Sequence, residues 1–268
     1  MNILVTLNSN YLEVLVVMLK SLALSNKHRN FDVYVMNNSL TKKEIEYLQK
    51  TTFNNINIID LKVKDKILDK APVTKRYPKE MYYRILAARY LPKKVDKILY
   101  LDPDLVVINK IDKLYNMKLD NYYFAAASHI WGILQTFNRI RLRMSNDEVY
   151  INSGVMLMNI KLLRVEQKIE DVYKFIKKNK NKLMLPDQDV ISGLYANKIL
   201  PLDPYVYNMT EKLLNQTYFM PHINERWISE NSVIIHYCGK NKPWKKNYNG
   251  TLNKFYDYYN NIELKHRR

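Results

Sequence analysis

With 43 lysines and arginines against 26 acidic residues, the 268-residue chain carries a formal charge of +17 and a pI near 9.6, which predicts attraction to something acidic: nucleic acid, an anionic membrane face or a phosphorylated substrate. A hydrophobic content of 47% fits a globular protein with a sizeable core, either one large α/β domain or two small ones. The single cysteine, Cys238, excludes an internal disulfide framework and suits a reducing cytosol, and no apolar run is long enough to span a bilayer.

The chain opens on Met1-Asn2-Ile3-Leu4-Val5 with no basic segment ahead of its apolar run, so residues 2–7 read as a first strand and not as a signal peptide. Residues 11–24 place apolar side chains at helical spacing, and 31–36 form a second strand candidate. Thr41-Lys42-Lys43-Glu44 is a capping box that opens a helix toward Leu48. A strand at 56–59, a helix over 79–90 ended by Pro92, and strands at 97–101, 124–127 and 155–159 follow. This alternation predicts a mainly parallel, Rossmann-like sheet with helices on both faces. Residues 131–147 are basic and irregular and read as a short helical insertion. From about Pro201 onward, proline, asparagine and aromatic residues suggest a surface lid more than a second core. We expect one α/β domain over 1–244 and a basic, aromatic C-terminal tail over 245–268.

The basic residues gather in two places. Lys174, Lys177, Lys178, Lys180 and Lys182 form one cluster, equally well read as ordinary solvated surface. Lys240, Lys242, Lys245, Lys246 and the terminal Lys265-His266-Arg267-Arg268 form the other. It is interleaved with Trp244, Tyr248, Phe255, Tyr256, Tyr258 and Tyr259, and rings beside lysines suit the headgroup layer of an anionic membrane.

The most informative segment is Asp102-Pro103-Asp104-Leu105, at the end of the apolar run 97–101. The tripeptide alone would serve as a turn. Its setting, between that run and Leu105-Val106-Val107-Ile108, leaves two carboxylates as the only charges at a strand's carboxyl edge, where α/β sheets build ligand sites and where paired acids close on a hard cation. Asn8-Ser9-Asn10-Tyr11 reads as an N-cap or a nucleotide contact. Ile151-Asn152-Ser153-Gly154-Val155 reads as a turn or as a close backbone approach to a ligand. Pro186-Asp187-Gln188-Asp189 opens a helix, where acids complement the dipole. His236, directly after the apolar Val233-Ile234-Ile235, is either a core histidine or the third, neutral ligand that a two-carboxylate site lacks; imidazole favours manganese over magnesium or calcium.

Taken in order, the segments Asn-Tyr, Tyr-x-Arg, Leu-Asp-x-Asp, Asn-x-Gly, Asp-Gln-Asp and His-Tyr-x-Gly-x-x-Lys-Pro-Trp resemble the retaining glycosyltransferases of family eight. That family includes bacterial lipopolysaccharide galactosyl- and glucosyltransferases and, more distantly, glycogenin. The resemblance runs from Asn2 to about Trp244 and implies a GT-A fold. It implies that Asp102, Asp104 and His236 bind Mn²⁺, with Mg²⁺ as a substitute, and that the metal bridges the diphosphate of a UDP-sugar. Gly239 and Lys242 then match diphosphate contacts, Asn10 and Tyr11 nucleoside contacts, and Arg84, from Tyr82-Tyr83-Arg84, an arginine reaching the donor. Asn152 and Asp187 match groups that hold sugar hydroxyls, and Gln188 the side chain on the sugar face opposite the leaving group. Asn8, Ser153 and Gly154 complete the donor set. Asn8 stands where many relatives carry an acid, and His129 where several place an aspartate near the acceptor, so the base contact and the acceptor pocket differ from theirs.

The activity implied is transfer of glucose or galactose from UDP-glucose or UDP-galactose to a glycan or glycolipid acceptor, in the cytoplasm or peripherally on the inner membrane face. Glutamine is a poor nucleophile, which favours front-face attack over a double displacement through Gln188. Two other classes use some of these features. A metal-dependent nucleotidyl- or phosphotransferase needs the aspartates but not His236 or Lys242-Pro243-Trp244. A nonenzymatic basic protein would bind nucleic acid or anionic lipid with steep salt dependence; under the leading reading nucleic acid is not a partner.

Overall fold

The computed structural model describes residues 1–64, 79–130, 132–217 and 222–263. Its strands are β1 (Asn2–Thr6), β2 (Phe31–Asn37), β3 (Ile56–Lys62), β4 (Lys97–Leu101), β5 (Leu105–Val107), β6 (Phe124–Ala127), β7 (Val155–Asn159), β8 (Ile199–Leu202) and β9 (Ile234–His236). Seven of them form one sheet in the order β3-β2-β1-β4-β7-β6-β8, while β5 and β9 make a separate antiparallel pair. The large sheet is parallel except at β7, which runs against both β4 and β6.

Alternation along the strands explains why both faces are covered. Ile3 and Val5 belong to one apolar cluster and Leu4 to another; Leu99 and Leu101 divide from Ile98 and Tyr100 in the same way. Successive side chains point to opposite faces, so a strand apolar at every position needs a layer on each side. Helix α1 (Leu12–Ser25) supplies the first layer together with α2 (Lys42–Lys50). At the start of α2 the capping box is formed: Glu44 Oε2 accepts from Thr41 N at 2.7 Å, and Thr41 Oγ1 accepts from Glu44 N at 3.3 Å.

Three segments differ from expectation. Residues 79–90 wind as a 3-10 helix, Lys79–Leu86, followed by one α turn, Ala87–Tyr90. Tyr82, Tyr83, Arg84, Ile85 and Leu86 are all buried, so packing on every side, and not one amphipathic stripe, sets the path. Strand β8 escapes sequence reading because Pro201 lies within it; proline is tolerated there since β8 is an edge strand. The described residues from 201 onward build core and not a lid. Helices Pro204–Tyr207, Glu211–Gln216, Glu225–Asn231 and Asn253–Asn260 gather a third cluster in which Leu213, Leu252 and Tyr256 meet Val106, Ile235 and Val17 of α1. Each of these helices is too short to display a period in the sequence. The tail is also tied by hydrogen bonds, Lys20 Nζ donating to Ile262 O at 2.8 Å and Tyr259 OH lying 2.9 Å from Ser25 Oγ. Of the tail's rings, Tyr256 and Tyr259 turn inward and Tyr258 stands exposed.

The 131–147 insertion contains a helix, Gly132–Leu142; Trp131 and the terminal basic residues 265–268 lie outside the described residues. Among the described residues no helix is long and apolar enough to cross a membrane. If the tail is core, Tyr256→Ala removes a 4% exposed ring from the third cluster, and urea denaturation will show a loss of about 3 kcal/mol.

Candidate active site

β1 has β2 on one side and β4 on the other, so the chain reverses its lateral direction there and leaves a crevice beyond the carboxyl ends of the two central strands. Asn8 follows β1 and Asp102 follows β4. The antiparallel register sets Leu101 opposite Val155, and Asp102 N donates to Gly154 O at 2.8 Å. Three residues on, β5 pairs Leu105 with His236, and Tyr237 N donates to Asp104 O at 2.9 Å. Two ladders therefore deliver three side chains to one point: ligand atoms of Asp102, Asp104 and His236 lie within 4.8 Å of one another. Close approach demands glycine at 154, because a Cβ there would stand 2.2 Å from His236 Cε1 and 2.8 Å from Asp102 Oδ2.

Cations balance the acids. Arg84, 4% exposed, places Nη2 at 2.9 Å from Asp102 Oδ1 and Nη1 at 3.3 Å from Asp187 Oδ2, with its guanidinium 4.2 Å over the Tyr100 ring. Tyr100 OH donates to Asp102 Oδ1 at 2.5 Å. Lys242 forms an ion pair with Asp104 and donates to Tyr237 O at 2.7 Å. Burial alone would raise the Asp104 carboxyl, but the Lys242 ammonium and His236 outweigh it and hold the group well below the usual carboxylate range. Burial pushes the Asp187 carboxyl up, against the pull of Arg84. Ser153 Oγ donates to Asp187 Oδ2 at 2.8 Å, whereas Asp187 Oδ1 is buried without a hydrogen-bond partner among the described residues. Such an atom is an acceptor awaiting a donor.

These groups line a cavity of about 500 Å³, a size that suits a small ligand. Gln188 and Asp187 reach it from the first turn of the helix Pro186–Tyr195, and Gln188 Oε1 lies 3.4 Å from both Asn152 Nδ2 and Ser153 N. Asn8, Tyr11, Arg84, Asn152, Ser153, Gly239 and Lys242 are also on its wall. Gly239 adopts φ +92°, a left-handed conformation that suits glycine. Asn10 is set apart, exposed on the 3-10 turn Ser9–Tyr11, where its backbone N–H donates to Asn8 Oδ1 at 3.1 Å. Asp189 stays out of the chemistry: fully buried, it takes both branches of Arg141 at 2.7 Å, Tyr150 OH at 2.6 Å and Met184 N at 2.6 Å. The wall also holds Cys238, whose thiol burial and the Asp104 charge push up to about 11, so a neutral S–H faces the cavity.

Sequence reasoning missed Tyr100, Arg141 and Asn208. Arg141 carries no motif, Tyr100 reads as one more strand residue, and Asn208 sits in a stretch taken as a lid. Asn208 is fully buried; its Oδ1 lies 2.9 Å from His236 Nδ1, and His129 Nε2 donates to its backbone oxygen at 2.8 Å. The donor set of two carboxylates and one imidazole fits a divalent metal.

The glycosyl transferase family 8 model matches residues 2–248. Among known proteins, lipopolysaccharide 1,2-glucosyltransferase of Escherichia coli (strain K12) is 28% identical over 92% of this chain and 73% of its own length. Lipopolysaccharide 1,3-galactosyltransferase of Salmonella typhimurium is 28% identical over 66% and 52% respectively. The structure of galactosyltransferase LgtC in complex with donor and acceptor sugar analogs superposes with a TM-score of 0.82 at 20% identity, covering 99% of this chain and 98% of that one, which shows a shared GT-A fold.

His129 gives the site an acid sensitivity. Burial, reinforced by repulsion from His236, lowers it to about 3. An unfolded histidine takes a proton near 6.5, so the unfolded state binds more protons between these values, and the contribution of neutral His129 is intact above pH 6.5 and lost as pH falls toward 3. Between pH 6 and 5 this residue contributes a loss of about 1 kcal/mol. His129→Gln, denatured by urea at the two pH values, will show a correspondingly smaller drop than the wild type.

Proposed function

Because this chain belongs to glycosyl transferase family 8, we propose that it transfers a hexose, glucose or galactose, from its UDP-sugar to a glycan or glycolipid acceptor with retention of anomeric configuration. The observation that carries this reading is the convergence of Asp102, Asp104 and His236 beside Lys242 and Arg84 in the crevice between β1 and β4. Asp102, Asp104 and His236 would hold Mn²⁺, or Mg²⁺ in its place. When bound, the metal supplies Lewis-acid stabilisation of the diphosphate leaving group.

The protein's own residues do the rest. Tyr11, edge-on to Trp244 at 6.4 Å, offers a ring to uracil, with Asn8 beside it. Lys242, resting on Asp104, is within reach to add positive charge opposite the leaving group, and Gly239 leaves room for phosphate. Asp187 Oδ1 accepts a sugar hydroxyl, which gives that buried atom the partner it lacks. Gln188 presents an amide and not a carboxylate, so the acceptor hydroxyl enters on the leaving-group side, the departing phosphate takes its proton, and the Gln188 carbonyl steadies the developing oxocarbenium ion.

The acceptor side supports an amphiphilic acceptor. Leu134 and Phe137 of the helix Gly132–Leu142 stand on the cavity rim about half exposed, beside exposed Met184. Named relatives are lipopolysaccharide transferases, and we place the enzyme in the cytoplasm at the inner membrane face, making cell-surface glycan precursors. The +17 charge supports attraction to that face, and with Tyr256 and Tyr259 turned inward the lysines, more than the rings, carry it.

Calorimetric titration of UDP tests the site directly. Binding will require Mn²⁺, vanish in excess chelator and weaken at least about tenfold in Asp104→Ala; equal binding with and without metal would remove the reading. For the chemistry, Gln188→Ala will retain measurable turnover and Gln188→Glu will trap no covalent glycosyl adduct by mass spectrometry, while an adduct captured on Asp187 would overturn front-face attack.

A further inference from the structure

The hydrogen-bond directions around His236 can be deduced one atom at a time from a backbone amide. Gly154 N–H is a donor without alternatives, and it points at the Asn152 side chain at 3.0 Å, so the atom it meets is Oδ1. That same Oδ1 faces the Asn208 side chain at 3.0 Å; an oxygen needs a donor there, which makes the Asn208 atom Nδ2. The other end of the Asn208 amide is then Oδ1, an acceptor, and it lies 2.9 Å from His236 Nδ1. Nδ1 must carry a proton. The ring nitrogen left to serve a cation is Nε2, which lies 3.2 Å from Asp104 Oδ1 and 3.7 Å from Asp102 Oδ2, shares a proton with Asp104 while the site is empty and gives that proton up when a cation takes its place.

We infer that Asn208 is a positioning residue for this transferase, fixing through its two amide ends the His236 tautomer that presents Nε2 to a cation and the Asn152 orientation that turns Nδ2 toward the cavity. Asn208 is suited to the task because it is held at several points. It is fully buried, its backbone oxygen accepts from His129 Nε2 at 2.8 Å, and the next residue accepts His236 N–H at 2.7 Å through Met209 O. The same amide thus joins the metal side of the site to the sugar side, since Asn152 Nδ2 faces Gln188 Oε1 at 3.4 Å. The consequence for metal affinity rests on the Mn²⁺ reading above; the tautomer does not.

Nitrogen-15 spectroscopy of the histidine rings at pH 8.5 in chelator, together with Mn²⁺ titration followed by electron paramagnetic resonance, tests the assignment. The wild type will show a proton on His236 Nδ1. Asn208→Leu leaves Asp104 as the acceptor beside the ring, so it will shift the neutral ring to the Nε2–H tautomer and will lower Mn²⁺ affinity about 10- to 100-fold, the range seen when the partner of a ligating histidine is removed. Asn208→Asp keeps the accepting oxygen and loses the donor to Asn152, so it will retain the Nδ1–H form and Mn²⁺ affinity while raising KM for the sugar donor. A wild-type ring protonated only on Nε2 would overturn the inference, as would an Asn208→Leu protein with unchanged spectrum and affinity. Should Asn208→Leu not fold, Asn208→Asp decides alone, and lost Mn²⁺ affinity there counts against the inference. A wild type that binds no Mn²⁺ would instead defeat the metal reading and leave the tautomer to be read from the spectrum.

Discussion

A buried guanidinium holds this site together. Arg84, 4% exposed, lies under the crevice with Asp102 on one side and Asp187 on the other. Its charge faces both carboxylates, and breaking a buried pair such as Arg84–Asp187 strands a charge at a cost of about 3–5 kcal/mol. Lys242 does the same for Asp104. The acids that would grip a metal are therefore held in place before any metal arrives, and the 3-10 winding of Lys79–Leu86 follows from having to bury Arg84 together with its apolar neighbours.

The sheet decides where these charges meet. The strand order reverses at the β1–β4 junction, and β7, inserted between β4 and β6 and running against both, brings Gly154 back to the end of β4. The small β5–β9 pair then returns His236 to the same point from 132 residues away along the chain from Asp104. The C-terminal helices that cover this pair are part of the foundation of the site, since they bury Ile235 and Val106 against α1.

What was legible in the sequence was whatever local pattern or ordered motif could encode. The six short apolar strands, the Thr41–Glu44 capping box and the aspartate pair at the end of β4 are statements made by neighbours in the chain. The order of motifs carried the family, and with it the GT-A fold. Asn208 was invisible because its meaning lies in two side chains 28 and 56 residues away, and a lone asparagine among Tyr and Met has no periodicity to betray it. The C-terminal core was misread for a related reason: helices of four to eight residues never complete enough turns to show a face. Asn10 shows the opposite limit, a residue whose motif is intact while its side chain stands on an exposed turn beside the cavity.

Arg141 ties two helices that otherwise belong to different parts of the molecule. It rises from Gly132–Leu142, the helix bearing Leu134 and Phe137 on the rim, and its fork closes on Asp189, one residue beyond Gln188. The rim helix and the helix of Asp187 and Gln188 are thus mechanically coupled by two charge-assisted bonds at 2.7 Å. A displacement of the rim is passed, through one guanidinium, to the turn that carries Asp187 and Gln188, so whatever seats on one wall of the cavity is felt at the other.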